Sequence, residues 1–156
     1  MQPAKICKEK DYAEWEVQRF AGKQSVYVCF HLLPSMRLNE RQYEYEAMDR
    51  SKAEAVARIF NNKINRFCYG NAYQRHEKRL LVTASVHDLP DWHLHFLVEV
   101  PHHKTIEEID TFIQDFAKAN RWVKPSKKGV YCEPTRSLER ASKYNARFGP
   151  DSIIFI

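Results

Sequence analysis

The alternation of apolar and polar positions divides the chain into short segments. QSVYVCFHLLP (24–34) is rich in β-branched and aromatic residues and ends at a proline, which predicts a strand. MRLNERQYEYEAMDR follows as a polar connector. SKAEAVARIFNNKINRFCYG then opens with Ser51 and Glu54 spaced as a capping box. Its Val56, Ile59, Phe60, Ile64 and Phe67 recur at helical spacing, and Gly70 is a natural stop. RLLVTASVHDLP (79–90) and WHLHFLVEVP (92–101) read as two strands joined by a tight DLPD turn, hence antiparallel neighbours. TIEEIDTFIQDFAKAN carries a second capping box, Thr105 with Glu108, and an apolar stripe of Ile106, Ile109, Phe112, Ile113 and Phe116. Trp122–Val123 and GVYCEPT (129–135) predict short strands around a basic loop, KPSKKG. SLERASKYNARFG predicts a last short helix, capped by Ser137 and ended at Gly149–Pro150. The apolar tail SIIFI is either an edge strand or a junction to further chain. The first ~20 residues carry no decisive pattern.

Strand, helix, strand, strand, helix, strand, helix is the order of an α+β protein, with a mostly antiparallel central sheet of about five strands and flanking helices. At 156 residues a single domain, 1–156 with its core at about 24–149, is expected. There is no apolar run long enough for a membrane span and no signal-peptide core in MQPAKICKEKDYAEWE. Cys7, Cys29, Cys68 and Cys132 are scattered without a CxxC pair, which argues against a disulfide framework or a thiolate zinc site. The expectation is an intracellular protein, cytoplasmic if bacterial. The net charge of +5 favours polyanionic partners without specifying one.

PDWHLHFLVEVP (90–101) places His93 and His95 two apart on a strand, so their side chains share a face. Such a pair is either a coincidence of composition on a solvated strand or the start of a metal site. His87 precedes the turn at an even separation from His93, so a short hairpin can bring it to the same face. Three imidazoles on one side, with positions left for water or substrate, form a catalytic metal site. Asp88, Asp91 and Glu77 are alternative ligands. Glu99 shares the parity but lies roughly 13 Å along the strand from His95, too far to share an ion. His102 and His103 are adjacent and diverge, as surface residues do.

On a helical wheel of SLERASKYNARF, Leu138, Ala141, Asn145 and Phe148 gather on one side, with Tyr144 at its edge. Arg140 and Arg147 neighbour Tyr144 on the polar side. A phenol at the rim of a core face, flanked by cations, is either a boundary tyrosine or a group placed to meet a phosphate.

A His-hydrophobic-His strand followed some 50 residues later by Tyr-x-x-(Lys/Arg) on a helix resembles the HUH endonucleases, and especially rolling-circle replication initiators. Here the motifs are His93-Leu94-His95 and Tyr144-Asn-Ala-Arg147, with arginine in place of the family's usual lysine. VYCEPTRSLERASKYNARF is similar to the strand-then-helix approach to that tyrosine. VYVCFHLLP occupies the place of the family's first motif, a segment that contacts DNA. The resemblance covers roughly residues 24–149 and implies a ferredoxin-like or RRM-like sheet.

That resemblance implies metal-assisted nicking and joining of single-stranded DNA. His93, His95 and His87 would hold Mn²⁺ or Mg²⁺. Tyr144 would form a 5′-phosphotyrosine and leave a free 3′-hydroxyl, with Arg147 stabilising developing charge and Arg140 and Lys143 beside it. Electropositive candidates for the DNA surface are Arg121, Trp122, Lys124, Lys127 and Lys128, with Tyr73 and the Arg75–Arg79 stretch as further ones. None of the four glycines begins a Walker A motif, so unwinding would fall to a separate helicase or to a longer parent chain. The implied partner is single-stranded DNA at a replication origin, and the implied state a monomer. A transposase of the same chemistry, a non-catalytic nucleic-acid-binding module and an unrelated metal-binding protein are the competing readings.

Overall fold

A computed structural model of the protein describes residues 9–38, 44–125 and 127–156. In chain order the elements are α1 (Glu9–Phe20), β1 (Ser25–His31), β2 (Ser35–Arg37), β3 (Tyr45–Ala47), α2 (Arg50–Tyr69), α3 (Asn71–Arg75), β4 (Val82–His87), β5 (His93–Glu99), α4 (Ile106–Ala119), β6 (Val130–Pro134), α5 (Leu138–Ala146) and β7 (Ile153–Ile154). Five strands form one sheet in the order β6-β1-β5-β4-β7, with every neighbouring pair antiparallel. The expected α+β class with its five-stranded antiparallel sheet and flanking helices is the observed one. Among the described residues no helix is long and apolar enough to cross a membrane.

The sheet's two faces differ because side chains alternate along each strand. Val26, Val28 and Phe30 of β1, Leu94, Phe96 and Val98 of β5 and Ala84 and Val86 of β4 point to one side. There they meet Phe60 and Ile64 of α2 and Ile109, Ile113 and Phe116 of α4. Phe30, Phe60, Phe96 and Phe116 form the centre of this core, with ring centroids 4.7–5.6 Å apart. The other face presents Thr83, Ser85, His87, His93 and His95, all buried, under α1 and α5.

Thr105 and Glu108 form the expected capping box of α4, Ser137 caps α5 with its side chain, and Gly70 ends α2 at φ 52°. The start of α2 differs from the expectation. Asp49, not Ser51, accepts the Lys52 amide, so the helix begins a residue before Ser51. Ile59 and Phe67 are also more exposed than their spacing predicts. The buried stripe runs instead through Ala53, Ala57 and Cys68, whose small side chains let α2 approach the sheet, while Phe67 stacks on Phe112 at the rim (4.8 Å).

Two further differences concern the connectors. The polar segment after β1 contains a two-stranded ribbon, β2 with β3. Trp122–Val123 is not a strand; Val123 makes one isolated bridge to Leu32. The apolar tail is an edge strand, with Ile153 and Ile154 pairing to Ser85 and Ala84. The opening helix α1, unassigned from the pattern, buries Tyr12, Ala13, Glu16 and Phe20. Cys7 and residues 39–43 lie outside the described residues.

Candidate metal centre and adjoining cleft

The hairpin of β4 and β5 sets His87 directly opposite His93, and β1 sets His31 opposite His93 on the other side. His95 occupies the next inward-facing position of β5, between Cys29 and Ser85. Three of these imidazoles converge. One ligand nitrogen from each of His87, His93 and His95 lies within 4.8 Å of the others, and all three residues are buried. The group can hold a metal ion.

The hydrogen bonds decide which nitrogen of each ring keeps its lone pair. His93 Nδ1 lies 2.6 Å from the Asp91 carbonyl, which can only accept, so Nδ1 carries the proton and Nε2 keeps its lone pair. His87 Nε2 lies 3.4 Å from both the Asn145 carbonyl and the Ser85 hydroxyl; a proton on the partnerless Nδ1 would be a buried donor with no acceptor, so Nε2 donates to the carbonyl and Nδ1 keeps its lone pair. His95 Nδ1 lies 2.5 Å from the Tyr27 hydroxyl, and its Nε2 is buried without a partner. A proton on that Nε2 would be a buried donor with no acceptor, so Nδ1 donates to Tyr27. The result is three unspent lone pairs, each on a ring whose far side is fixed by a protein oxygen. That is how histidine ligands are oriented around an ion. Two orphaned buried nitrogens are costly as they stand and become ligands once a cation is present.

Burial also keeps these rings neutral. Desolvation lowers the pKa of His87 to about 4 and of His95 to about 2, and it lowers His93 as well. Arg147 pushes all three in the same direction, and neighbouring imidazoles add to it at His87 and His95. Neutral imidazole is the form that binds a metal.

Tyr144 stands over this group. Its ring is 4.9 Å from that of His95 and 6.0 Å from that of His87, while 41% of the residue remains exposed. The Arg147 guanidinium lies 4.9 Å from the Tyr144 ring and 4.7 Å from that of Phe148. The wheel reading of α5 needs rotating: the buried residues are Ser142, Asn145 and Ala146, and Phe148 is partly exposed. This face is polar because the sheet beneath it is polar. Glu16, fully buried on α1, accepts hydrogen bonds from Thr83 Oγ1 and from Asn145 Nδ2 (3.1 Å), tying α1, β4 and α5 together.

Tyr144 and His95 open into a cleft of about 650 Å³ that runs across β1 to β6. Lys127, Lys128 and Arg140 line it, together with Arg136, which the sequence pattern did not single out. Other proposed contacts fall elsewhere. Trp122 is only 8% exposed and belongs to the core, so its ring is not a stacking platform. Lys124 sits at the histidine end, where its ammonium approaches Asp91 at 3.7 Å. Lys143 lines a separate groove between α1 and α5, because the adjacent residue along a helix is turned by about 100° from Tyr144. Arg121 is exposed but does not line the cleft. Tyr73 and residues 75–79 precede β4, at the end of that strand remote from His87; the Tyr73 hydroxyl is bonded to Asn62. The alternative ligands are not part of the converging group: Glu99 pairs with Lys23 and the Leu81 amide, and Asp88 and Asp91 are exposed at the turn beside it.

Tyr27 and His31 were not singled out from the sequence. Their signal was strand parity, since Tyr27, Cys29 and His31 alternate with the apolar Val26, Val28 and Phe30. Glu16 gave no such signal. No family model matches this chain, and neither does any curated protein or solved structure.

Proposed function

We propose that this chain is a metal-dependent endonuclease and strand transferase of the HUH type, acting on single-stranded DNA to initiate rolling-circle replication. One observation carries the proposal: three buried histidines with unspent lone pairs cluster beside an exposed tyrosine flanked by arginine, and His95 and that tyrosine open into one cationic cleft. A binding module would have no use for two orphaned nitrogens in its interior.

His87 Nδ1, His93 Nε2 and His95 Nε2 would hold the ion. Bound there, a divalent cation supplies Lewis-acid polarisation of a non-bridging phosphate oxygen. The remaining chemistry belongs to the chain. Tyr144 Oη gives up its proton and forms a bond to phosphorus. The bond from phosphorus to the 3′-oxygen breaks, and that oxygen takes a proton. The products are a 5′-phosphotyrosine and a 3′-hydroxyl. One phosphoester replaces another, so the step reverses and strands can be rejoined. Arg147, against the phenol ring, stands where negative charge develops. Arg140 and Lys127 attract the backbone of the strand into the cleft. Three nitrogen donors suit Mn²⁺ better than Mg²⁺, which prefers oxygen.

Incubation with single-stranded DNA carrying an origin-like hairpin and Mn²⁺, followed by a denaturing gel, tests this. A protein band carrying the label of the 3′ fragment, absent without the ion, is the expected result. DNA binding with no such band supports the non-catalytic module instead.

A further inference from the structure

The cleft extends well past the metal centre, and its far wall is unlike the rest. Its cations suit a phosphate backbone, yet Glu133 on β6 also lines it, the one carboxylate among the described lining residues. A carboxylate repels phosphate; Glu133 instead lies against the hydroxyl of Tyr131, which holds it at the edge of that ring. Glu133 pairs in register with Tyr27, whose hydroxyl takes the His95 proton. Two residues earlier on the same face of β6 is Tyr131, 49% exposed and opposite Cys29. Cys29 is in turn opposite His95, so Tyr131 lies two strand spacings, about 10 Å, from the metal centre. An exposed aromatic ring in a cationic groove is a platform on which a base stacks.

We infer that Tyr131 and Glu133 form a nucleobase subsite that selects guanine next to the scissile phosphate. The inference deepens the nuclease reading and rests on the cleft being the path of a single strand. A base lying on the Tyr131 ring turns its Watson–Crick edge toward Glu133, two residues along the same strand face. Only guanine presents two adjacent donors there, N1–H and N2–H, and a carboxylate's two oxygens accept both. Adenine and cytosine offer one donor beside an acceptor, which the carboxylate repels. Thymine places its single donor between two carbonyls.

A random-sequence single-stranded 12-mer pool, selected on metal-free Tyr144→Phe protein and sequenced, reads this preference. One position enriched about tenfold in guanine is expected, from the strength of a two-bond base contact. Glu133→Gln in the same background replaces two acceptors by one acceptor and one donor, and should move the enrichment to adenine or cytosine. Tyr131→Ala should weaken binding of the whole pool at least about fivefold. Glu133 and Tyr131 lie on an edge strand, and a melting curve for each variant confirms folding. A pool without a guanine position, or one unchanged in Glu133→Gln, overturns the subsite. The adduct assay on the unaltered protein separates the two ideas. An adduct without a guanine position leaves the nuclease standing and removes the subsite. A guanine position with no adduct keeps the subsite on a protein that only binds.

Discussion

The backbone carbonyl of Asn145 receives the Nε2 proton of His87 across 3.4 Å. The residue that follows Tyr144 in the chain thereby fixes the tautomer of one of the three clustered histidines. Helix α5 and strand β4 are joined at the point where the proposed nucleophile and ion would meet, and the Asn145 side chain extends the link to Glu16 on α1.

Glu16 is therefore expected to matter more than a helix-surface acid. Glu16→Ala leaves Thr83 and Asn145 with buried, unpartnered donors and should cost about 2–4 kcal/mol of stability, read by denaturant unfolding. Burial raises the Glu16 pKa above the ordinary carboxylate value of 4.5. The folded protein then holds this proton more tightly than the unfolded chain. Its contribution to stability is complete below pH 4.5 and is lost as pH rises through the folded-state pKa. Glu16→Gln should remove this alkaline loss, giving a flatter dependence of Tm on pH than the unaltered protein. Parallel curves would contradict it.

Tyr27→Phe removes the acceptor of the His95 Nδ1 proton while keeping the ring that lies 5.7 Å from the imidazole. The ring then loses its preferred tautomer. Metal affinity should fall by about 10–100-fold with little change in stability, measured by calorimetric titration of Mn²⁺ into each protein.

Ligation by three imidazoles would fix the order of metals. Titrations should give affinities rising from Mg²⁺ through Mn²⁺ and Co²⁺ to Ni²⁺. His95→Ala should abolish the tight phase for all of them, because it removes one of only three clustered imidazoles, the one bonded to Tyr27 and lying edge-on to Tyr144. A preference for Mg²⁺ over Mn²⁺ would point to oxygen ligands.

At Gly129 a Cβ would overlap the Lys124 carbonyl, while the Gly129 carbonyl receives the His31 amide at 2.8 Å. Gly129→Ala should displace the basic loop carrying Lys127 and Lys128. Single-stranded DNA affinity, followed by anisotropy, should fall several-fold with metal affinity unchanged.

The parts of this site that repeat at short range were readable from the chain. Parity placed His87, His93 and His95 on one face because a tight turn leaves the hairpin register little freedom. Spacing put Tyr144 at a helix edge. The rest depends on pairings between distant segments. Tyr27 and His31 join the site only because β1 lies beside β5, across some 60 intervening residues. Glu16 looks like a solvated helix residue until α1 is laid over Thr83. Trp122, in a basic stretch, looked exposed; its burial follows from the loop folding back on Leu32 and Leu33. Helix α5 was rotated in the wheel reading because its partner surface is polar, so an apolar stripe was the wrong guide.

Peptide mapping by mass spectrometry measures the central claim most directly. The protein is incubated with hairpin single-stranded DNA and Mn²⁺, digested with protease and nuclease, and searched for a nucleotide-modified peptide. A 5′-nucleotide phosphate on Tyr144, lost on chelation and in His93→Ala/His95→Ala, is the predicted result. Covalent attachment at another residue, or at Tyr144 without dependence on the ion, would contradict the account.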